Sequence, residues 1–246
     1  MPSDPHLLSD FRQIWERKPI LRAIYSDFYR RILENVVDGP TLEIGGGSGN
    51  LKAFAPEVIS SDIISAPWLD VVCDAQRMPF SGGSFSNVVM IDVLHHVENP
   101  IYALTEIKRV LRPGGRLVFC EPAITPISSV FYRLFHPEPV DMSANPLATG
   151  AISPDKDPFD SNQAYPTLLV GRFRDAMAQA VPELDLVHVH RFSFLAYPLS
   201  GGFRPWSLVP EKLVEPLLAA EWSLRGVLGR LAAFRLLAVY QRRPEP

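Results

Sequence analysis

Thr41-Leu42-Glu43-Ile44 runs directly into Gly45-Gly46-Gly47-Ser48-Gly49-Asn50, and no other stretch restricts the fold of this chain so tightly. A short β-prone run that ends in glycines lets the backbone turn with positive φ and lie bare against a ligand. Leu51-Lys52-Ala53-Phe54-Ala55 follows with a helix-compatible pattern, so the loop reads as a strand-to-helix turn that binds something.

The spacing of the glycines narrows what is bound. A dinucleotide fingerprint is G-x-G-x-x-G, with the third glycine permitting close helix–strand packing. Here the pattern is Gly45-x-Gly47-x-Gly49, and Asn50 occupies the position of that third glycine. This points away from a pyrophosphate on a helix end, and so from a nicotinamide oxidoreductase. It points towards a smaller, uncharged or zwitterionic nucleoside ligand.

Short apolar runs recur at 41–44, 57–61, 69–72, 87–93 and 116–120. Between the last two the pattern predicts a helix, with Asn99 as N-cap, Pro100 as its first residue and Ala103, Leu104, Ile107, Val110 and Leu111 as its buried stripe. Arg112-Pro113-Gly114-Gly115 stops it. Strands alternating with helices predict an α/β fold with a parallel sheet covered on both faces. Three acids then fall near strand ends: Glu43 beside the loop, Asp62 after the second strand and Asp74 after the third. Asp62 lies near the offset at which an acid accepts from both ribose hydroxyls. Asp74-Ala75 is placed to meet an amino-bearing base edge. Ligands of open α/β sheets sit beyond the carboxyl ends of the strands, so the three acids are expected to ring one crevice.

With Leu42–Gly49, Ser61-Asp62-Ile63, Asp74-Ala75 with Met78-Pro79-Phe80, Val89–Val97 and Leu111–Leu117 in this order, residues 40–122 resemble a class I S-adenosylmethionine-dependent methyltransferase. The resemblance is to the group that includes small-molecule and quinone-biosynthesis enzymes, and it weakens from residue 123 onward. It implies a Rossmann-like seven-stranded sheet in the order 3-2-1-4-5-7-6, with the last strand, about 235–241, antiparallel. It also implies S-adenosyl-L-methionine as cofactor. Gly45, Gly46, Gly47 and Gly49 would then lie against its methionine part, and Glu43 would orient the loop or the amino group. Asp62 would hold the ribose, Ile63 would pack on adenine, and Asp74 with Ala75 would meet the adenine edge. Ile91-Asp92 would line the methyl-transfer site. In that sheet order Cys73 and Cys120 lie four strand spacings apart, roughly 19 Å, far beyond the reach of a disulfide. Both are read as inert thiols, consistent with a cytoplasmic protein.

The remainder of the chain frames this half. Residues 10–37 read as helix, with Leu21, Ile24, Phe28, Ile32 and Val36 on one stripe and Arg22, Arg30, Arg31 and Glu34 off it. Pro19 suits a first turn, so a shorter helix over Phe11–Arg17 is expected before it. Tyr25 and Tyr29 are placed to cover a ligand over the glycine loop. After Pro122 a helix over Ile127–Phe135 gives way to residues 137–164, with five prolines and Asp141, Asp155, Asp157 and Asp160 against Lys156. A stretch of that length without periodicity reads as a lid, a binding loop or a partly disordered segment. A helix near Thr167–Ala180, a strand near Leu184–Phe194, helical segments over about 211–232 and a last strand complete the chain. Pro216, Gly226 and Gly229 argue against one straight helix there. The whole reads as a single domain: an N-terminal helical segment (1–38), a cofactor-binding half (39–122) and a divergent substrate half (123–246).

For the reaction, a sulfonium donor needs only an aligned nucleophile and, for an alcohol, a proton acceptor. Histidine titrates near neutral pH. His95 and His96 follow the fourth strand, with His136 and Glu121 as further candidates. Arg191, Arg204, Phe192, Phe194, Tyr197, Phe203 and Trp206 are candidates to line an acceptor pocket. No metal site is expected, because no histidine or cysteine pair stands beside Glu138 and Asp141 in the sequence. A formal net charge of −3 offers no overall field for nucleic acid, and no apolar run approaches the length that spans a bilayer. The partner expected is a small-molecule or glycan-like acceptor. A non-catalytic scaffold with the same fold is the alternative.

Overall fold

The computed structural model describes residues 7–244. Seven strands form one sheet: β1 (Thr41–Ile44), β2 (Ile59–Asp62), β3 (Val71–Val72), β4 (Phe85–Ile91), β5 (Leu111–Pro122), β6 (Leu184–Phe192) and β7 (Arg235–Arg242). Their order is β3-β2-β1-β4-β5-β7-β6. β1 through β5 pair in parallel, and β7 runs antiparallel to both β5 and β6. This is the sheet that the resemblance implies. β3 is shorter than its apolar run, because Leu69 and Asp70 lie in the approach to the strand rather than in the ladder.

Alternation along the central strands builds a core on each face. Val88 and Met90 of β4, Leu117 and Phe119 of β5, and Leu236 and Ala238 of β7 face one side, with α3 (Pro100–Val110) packed on them. Val89, Val118, Cys120, Leu237 and Val239 face the other, against α1 (Leu7–Arg17), α2 (Pro19–Leu33) and α8 (Glu211–Ala232). Leu21, Ile24 and Phe28 of α2 are fully buried there. Each such side chain contributes roughly 1.5–3 kcal/mol through removal from water.

The expected break before Pro19 is present: α1 ends at Arg17 and Pro19 opens α2, which stops at Leu33. Several other local expectations change. Arg31 is buried instead of solvated, because Asp27 pairs with it and its guanidinium lies 3.6 Å from the Trp222 ring centroid. Asn99 stands at the N-cap of α3, but its side chain donates to Gln76 rather than to the helix. The turn after the glycine loop is a short 3₁₀ segment, Leu51–Ala53. Between α4 (Pro126–Phe135) and β6 the expected 167–180 helix is split into α5 (Tyr165–Leu169) and α6 (Arg174–Ala180) around Gly171. Conversely, α8 continues through Pro216 as one helix, with Gly229 pressed against the Arg191 carbonyl of β6. A short α7 (Ala196–Ser200) lies between β6 and α8.

Candidate functional site

β1 and β4 are neighbours in the sheet although β2 and β3 lie between them in sequence, so the connections diverge at their carboxyl ends. A crevice opens at that switch point, where open α/β sheets bind ligands. The glycine loop forms its floor. Gly45 has φ 72°, and a Cβ there would sit 2.1 Å from a Val93 methyl group, so both conformation and space require glycine. The Asp62 carboxylate accepts from the Gly47 and Ile64 N–H groups, each at 2.9 Å, and Trp68 Nε1 donates to the Gly47 carbonyl at 2.8 Å. Trp68 thus secures the loop from the far side, a role the sequence reading missed. Glu43 is buried and accepts from Ser60 Oγ at 2.5 Å. Burial pushes its carboxyl up to about 7.

The crevice encloses about 970 Å³. Glu43, Gly45, Gly46, Gly47, Asp62, Ile63, Asp74, Ala75, Ile91 and Asp92 all line it, as do His95, His96 and His136. Gly49 does not. It shapes the loop from behind, at φ 76° and against Trp68. Tyr25 and Tyr29 line the crevice from α2. Of the expected acceptor residues, Arg204, Tyr197, Phe203 and Trp206 line it, joined by Phe131, Tyr132 and Phe135 of α4. Arg191, Phe192 and Phe194 do not, because Phe192 and Phe194 point into the two cores and Arg191 packs beneath α8.

Beyond β4 the polar groups form one connected set. Asp92 takes φ 57° and receives the Tyr25 hydroxyl at 2.9 Å. It also pairs through both oxygens with Arg235, which is buried at the start of β7 and lies 4.0 Å from the Tyr197 ring centroid. Burial works against ionising Asp92, but the Arg235 charge prevails and holds the carboxyl below its usual range. Arg235 escaped the sequence reading, since one arginine opening an apolar strand carries no local signal.

Glu121, a candidate base by sequence, is committed elsewhere. It accepts from the Val93 and Leu94 N–H groups at 2.8 Å and meets His95 Nδ1 at 2.5 Å, fully buried. His95 Nε2 faces Glu138 at 3.5 Å. Burial would lower the His95 pKa, but the two carboxylates outweigh it and raise it to about 9, so the ring is an imidazolium at neutral pH. Burial and that neighbouring charge push His96 down to about 4, which keeps it neutral, and its Nδ1 is buried without a partner. Burial also lowers His136. His95, His96 and Glu138 place donor atoms within 4.8 Å of one another, a grouping invisible in the sequence. In the folded chain Glu138 accepts from Ser161 and Gln163 and faces His95.

The irregular insert is tied down over this end of the crevice. Lys156 Nζ donates to the carbonyls of His96, Asp157 and Asp160 at 2.8–3.0 Å, and Asn162 N–H donates to the His95 carbonyl at 2.8 Å. Phe159 meets His96 and Phe11 edge-on. Opposite, Lys18 Nζ is held by the carbonyls of Ser200, Gly202, Arg204 and Trp206 at 2.6–2.9 Å, which fixes the 200–206 turn over the chamber.

Residues 42–119 match the methyltransferase domain family. That stretch is the part of the chain that resembles class I S-adenosylmethionine-dependent methyltransferases. Among curated proteins, the chain is 33% identical over 109 residues to a demethylmenaquinone methyltransferase of Streptomyces avermitilis, covering 41% of this chain and 45% of that protein. It is 36% identical over 100 residues to one from Mycolicibacterium vanbaalenii, covering 39% and 42%. The match therefore spans less than half the length of these relatives. Over the whole fold, the chain is similar to a methyltransferase from Thermotoga maritima, with TM-score 0.62, 14% identity and coverage of 97% and 98%. A methyltransferase from Archaeoglobus fulgidus gives TM-score 0.54 at 13% identity, covering 89% and 94%. The residues present suit S-adenosylmethionine, the cofactor of the enzymes this region resembles: bare glycine backbone, Glu43, Asp62 and Asp74 all line the one crevice.

Proposed function

We propose that this protein transfers a methyl group from S-adenosylmethionine to a flat, largely apolar small molecule carrying a hydroxyl or an activated ring carbon. The observation that carries the reading is the continuity of one crevice. Its glycine end presents the acids suited to the nucleoside, and its other end is walled by Phe131, Tyr132, Phe135, Phe159, Tyr197, Phe203 and Trp206. Aromatic faces favour stacking of a planar acceptor. The curated relatives are named for demethylmenaquinone, a quinone of that general shape.

Bound S-adenosylmethionine supplies an electrophilic methyl group on a sulfonium centre. Glu43 and the glycine backbone would hold its amino-acid part, Asp62 and Asp74 would take the ribose and the adenine edge, and Ile91 and Asp92 would line the methyl-transfer site. His96 is the neutral imidazole on the wall and the candidate to take a proton from an acceptor hydroxyl; the His95 charge beside it keeps it neutral and also weakens it as a base. The Glu121–His95–Glu138 chain positions the loop after β4 and the insert that closes on it. The acceptor wall excludes water, which protects the sulfonium and aligns the nucleophile.

The test is formation of S-adenosylhomocysteine by the full chain with hydroquinone-type, phenolic and sugar acceptors. Turnover with planar aromatics and none with sugars supports the proposal. Turnover with sugars alone replaces it with the glycan-like reading. Cofactor binding with no turnover on any acceptor class supports a binding protein.

A further inference from the structure

The chain carries an apolar surface that no described residue covers. On α4, Ile127, Val130 and Leu134 recur at three- and four-residue spacing on one side of the helix, and Leu134 is 68% exposed. On the second half of α8, Leu224, Val227 and Leu231 do the same, and Val227 is 80% exposed. The two helices pack together, and each carries its stripe on the solvent side. Isolated exposed aliphatics are ordinary, but a contiguous set on two adjoining helices marks an interaction site.

The charged residues beside these stripes along the chain are arginines. Arg133 lies on α4, Arg230 on α8, and Arg204, whose guanidinium donates to the Phe135 carbonyl, on the 200–206 turn. The stretches 122–137 and 199–209 contain no acid. From 216 to 244 the one acid is Glu221, which is buried and accepts from the Leu195 and Ala196 N–H groups. None of these three arginines pairs with a carboxylate among the described residues. This cationic face belongs to a chain of net charge −3. Apolar side chains ringed by arginine are complementary to an anionic lipid surface, whose headgroups attract the guanidinium groups while the aliphatics enter the acyl boundary. A second copy of the chain would bring arginines against arginines across the two-fold.

The location adds a reason for such docking. Phe131 and Phe135 of α4, with Arg204, Trp206 and Leu208 of the turn, belong both to this side of the molecule and to the lining of the crevice. We propose that the α4–α8 face docks peripherally on an anionic membrane surface, so that a lipid-dissolved acceptor enters the crevice past Phe131 and Phe135. No described helix is long and apolar enough to cross a membrane, so the contact is interfacial. The entry route rests on the proposed methyl transfer; the docking does not, and it is measured without cofactor or acceptor.

The experiment is cosedimentation of the full-length protein with phosphatidylcholine vesicles and with vesicles containing phosphatidylglycerol, at low and high salt. The expected result is binding to the anionic vesicles that falls at least tenfold at high salt and is near absent with phosphatidylcholine alone. Val227→Glu and Leu134→Glu, both on exposed positions, should each weaken vesicle binding about tenfold while leaving S-adenosylmethionine affinity unchanged, which shows that the fold persists. Arg133→Glu with Arg230→Glu should remove the preference for anionic lipid. Equal sedimentation of wild type and variants, or none with anionic vesicles at low salt, overturns the proposal. So does a concentration-dependent dimer that Val227→Glu dissolves, because the face then belongs to a second copy.

Discussion

The two ends of the crevice are built in different ways. At the cofactor end, each group lies within a few residues of the strand that positions it: Glu43 in β1, Asp62 closing β2, Asp74 two residues past β3. At the acceptor end, groups meet across long stretches of chain. Arg235 reaches Asp92 over 143 residues, and Glu138 comes from the insert to His95. Local construction makes the glycine end readable in the sequence. Distant construction leaves the acceptor end free to vary while the catalytic geometry depends on packing.

Four substitutions sharpen this contrast. His96→Ala acts at the acceptor end alone and should reduce turnover on a hydroxyl acceptor by about 10²–10⁴-fold, the usual worth of a general base. S-adenosylmethionine affinity should stay within twofold; equal turnover in steady-state kinetics would remove His96 from proton transfer. Arg235→Ala strands the Asp92 carboxylate against Tyr25 and should cost about 3–5 kcal/mol of stability in urea unfolding, as breaking a buried pair does. A loss below about 1 kcal/mol would mean that water reaches Asp92 and solvates it.

Asp62→Ala belongs to the cofactor end. It should weaken cofactor binding by about 1.5–3 kcal/mol, the range for hydrogen bonds to a charged group, with the acceptor KM unchanged. A change in acceptor KM instead would show that the two ends are not separable. The smallest effect is on pH dependence. His95 gains its proton affinity from Glu121 and Glu138, so its folded pKa lies above the unfolded value. Its stabilisation is complete below the ordinary histidine range and is lost as pH rises through about 9. Melting temperature and turnover should both fall through that window. Glu138→Gln should move the fall to lower pH; an unmoved profile would show that Glu138 does not hold the His95 charge.

The same contrast explains what the sequence made legible. The sheet order came only through the resemblance that five short motifs carry, and the crevice lining includes every expected cofactor residue except Gly49, which supports the loop from behind. Those signals are local, because a strand end and a glycine turn are properties of adjacent residues. Arg235, Trp68, Lys18 and Lys156 were not legible, since each acts on carbonyls or a carboxylate supplied by another part of the chain. Glu121 was read as a free base because its position at a strand end was visible, while its three buried donors were not. The break near Gly171 and the unbroken α8 show tertiary packing overriding local preference in both directions.

The central claim is that the crevice at the β1–β4 switch point is an S-adenosylmethionine site. Calorimetric titration of S-adenosylmethionine into the full-length protein tests it most directly. A single site per chain, weakened at least tenfold by Asp62→Ala and unaltered by His96→Ala, is the predicted result. No heat of binding at high micromolar cofactor, or equal affinity in the Asp62 variant, would contradict it.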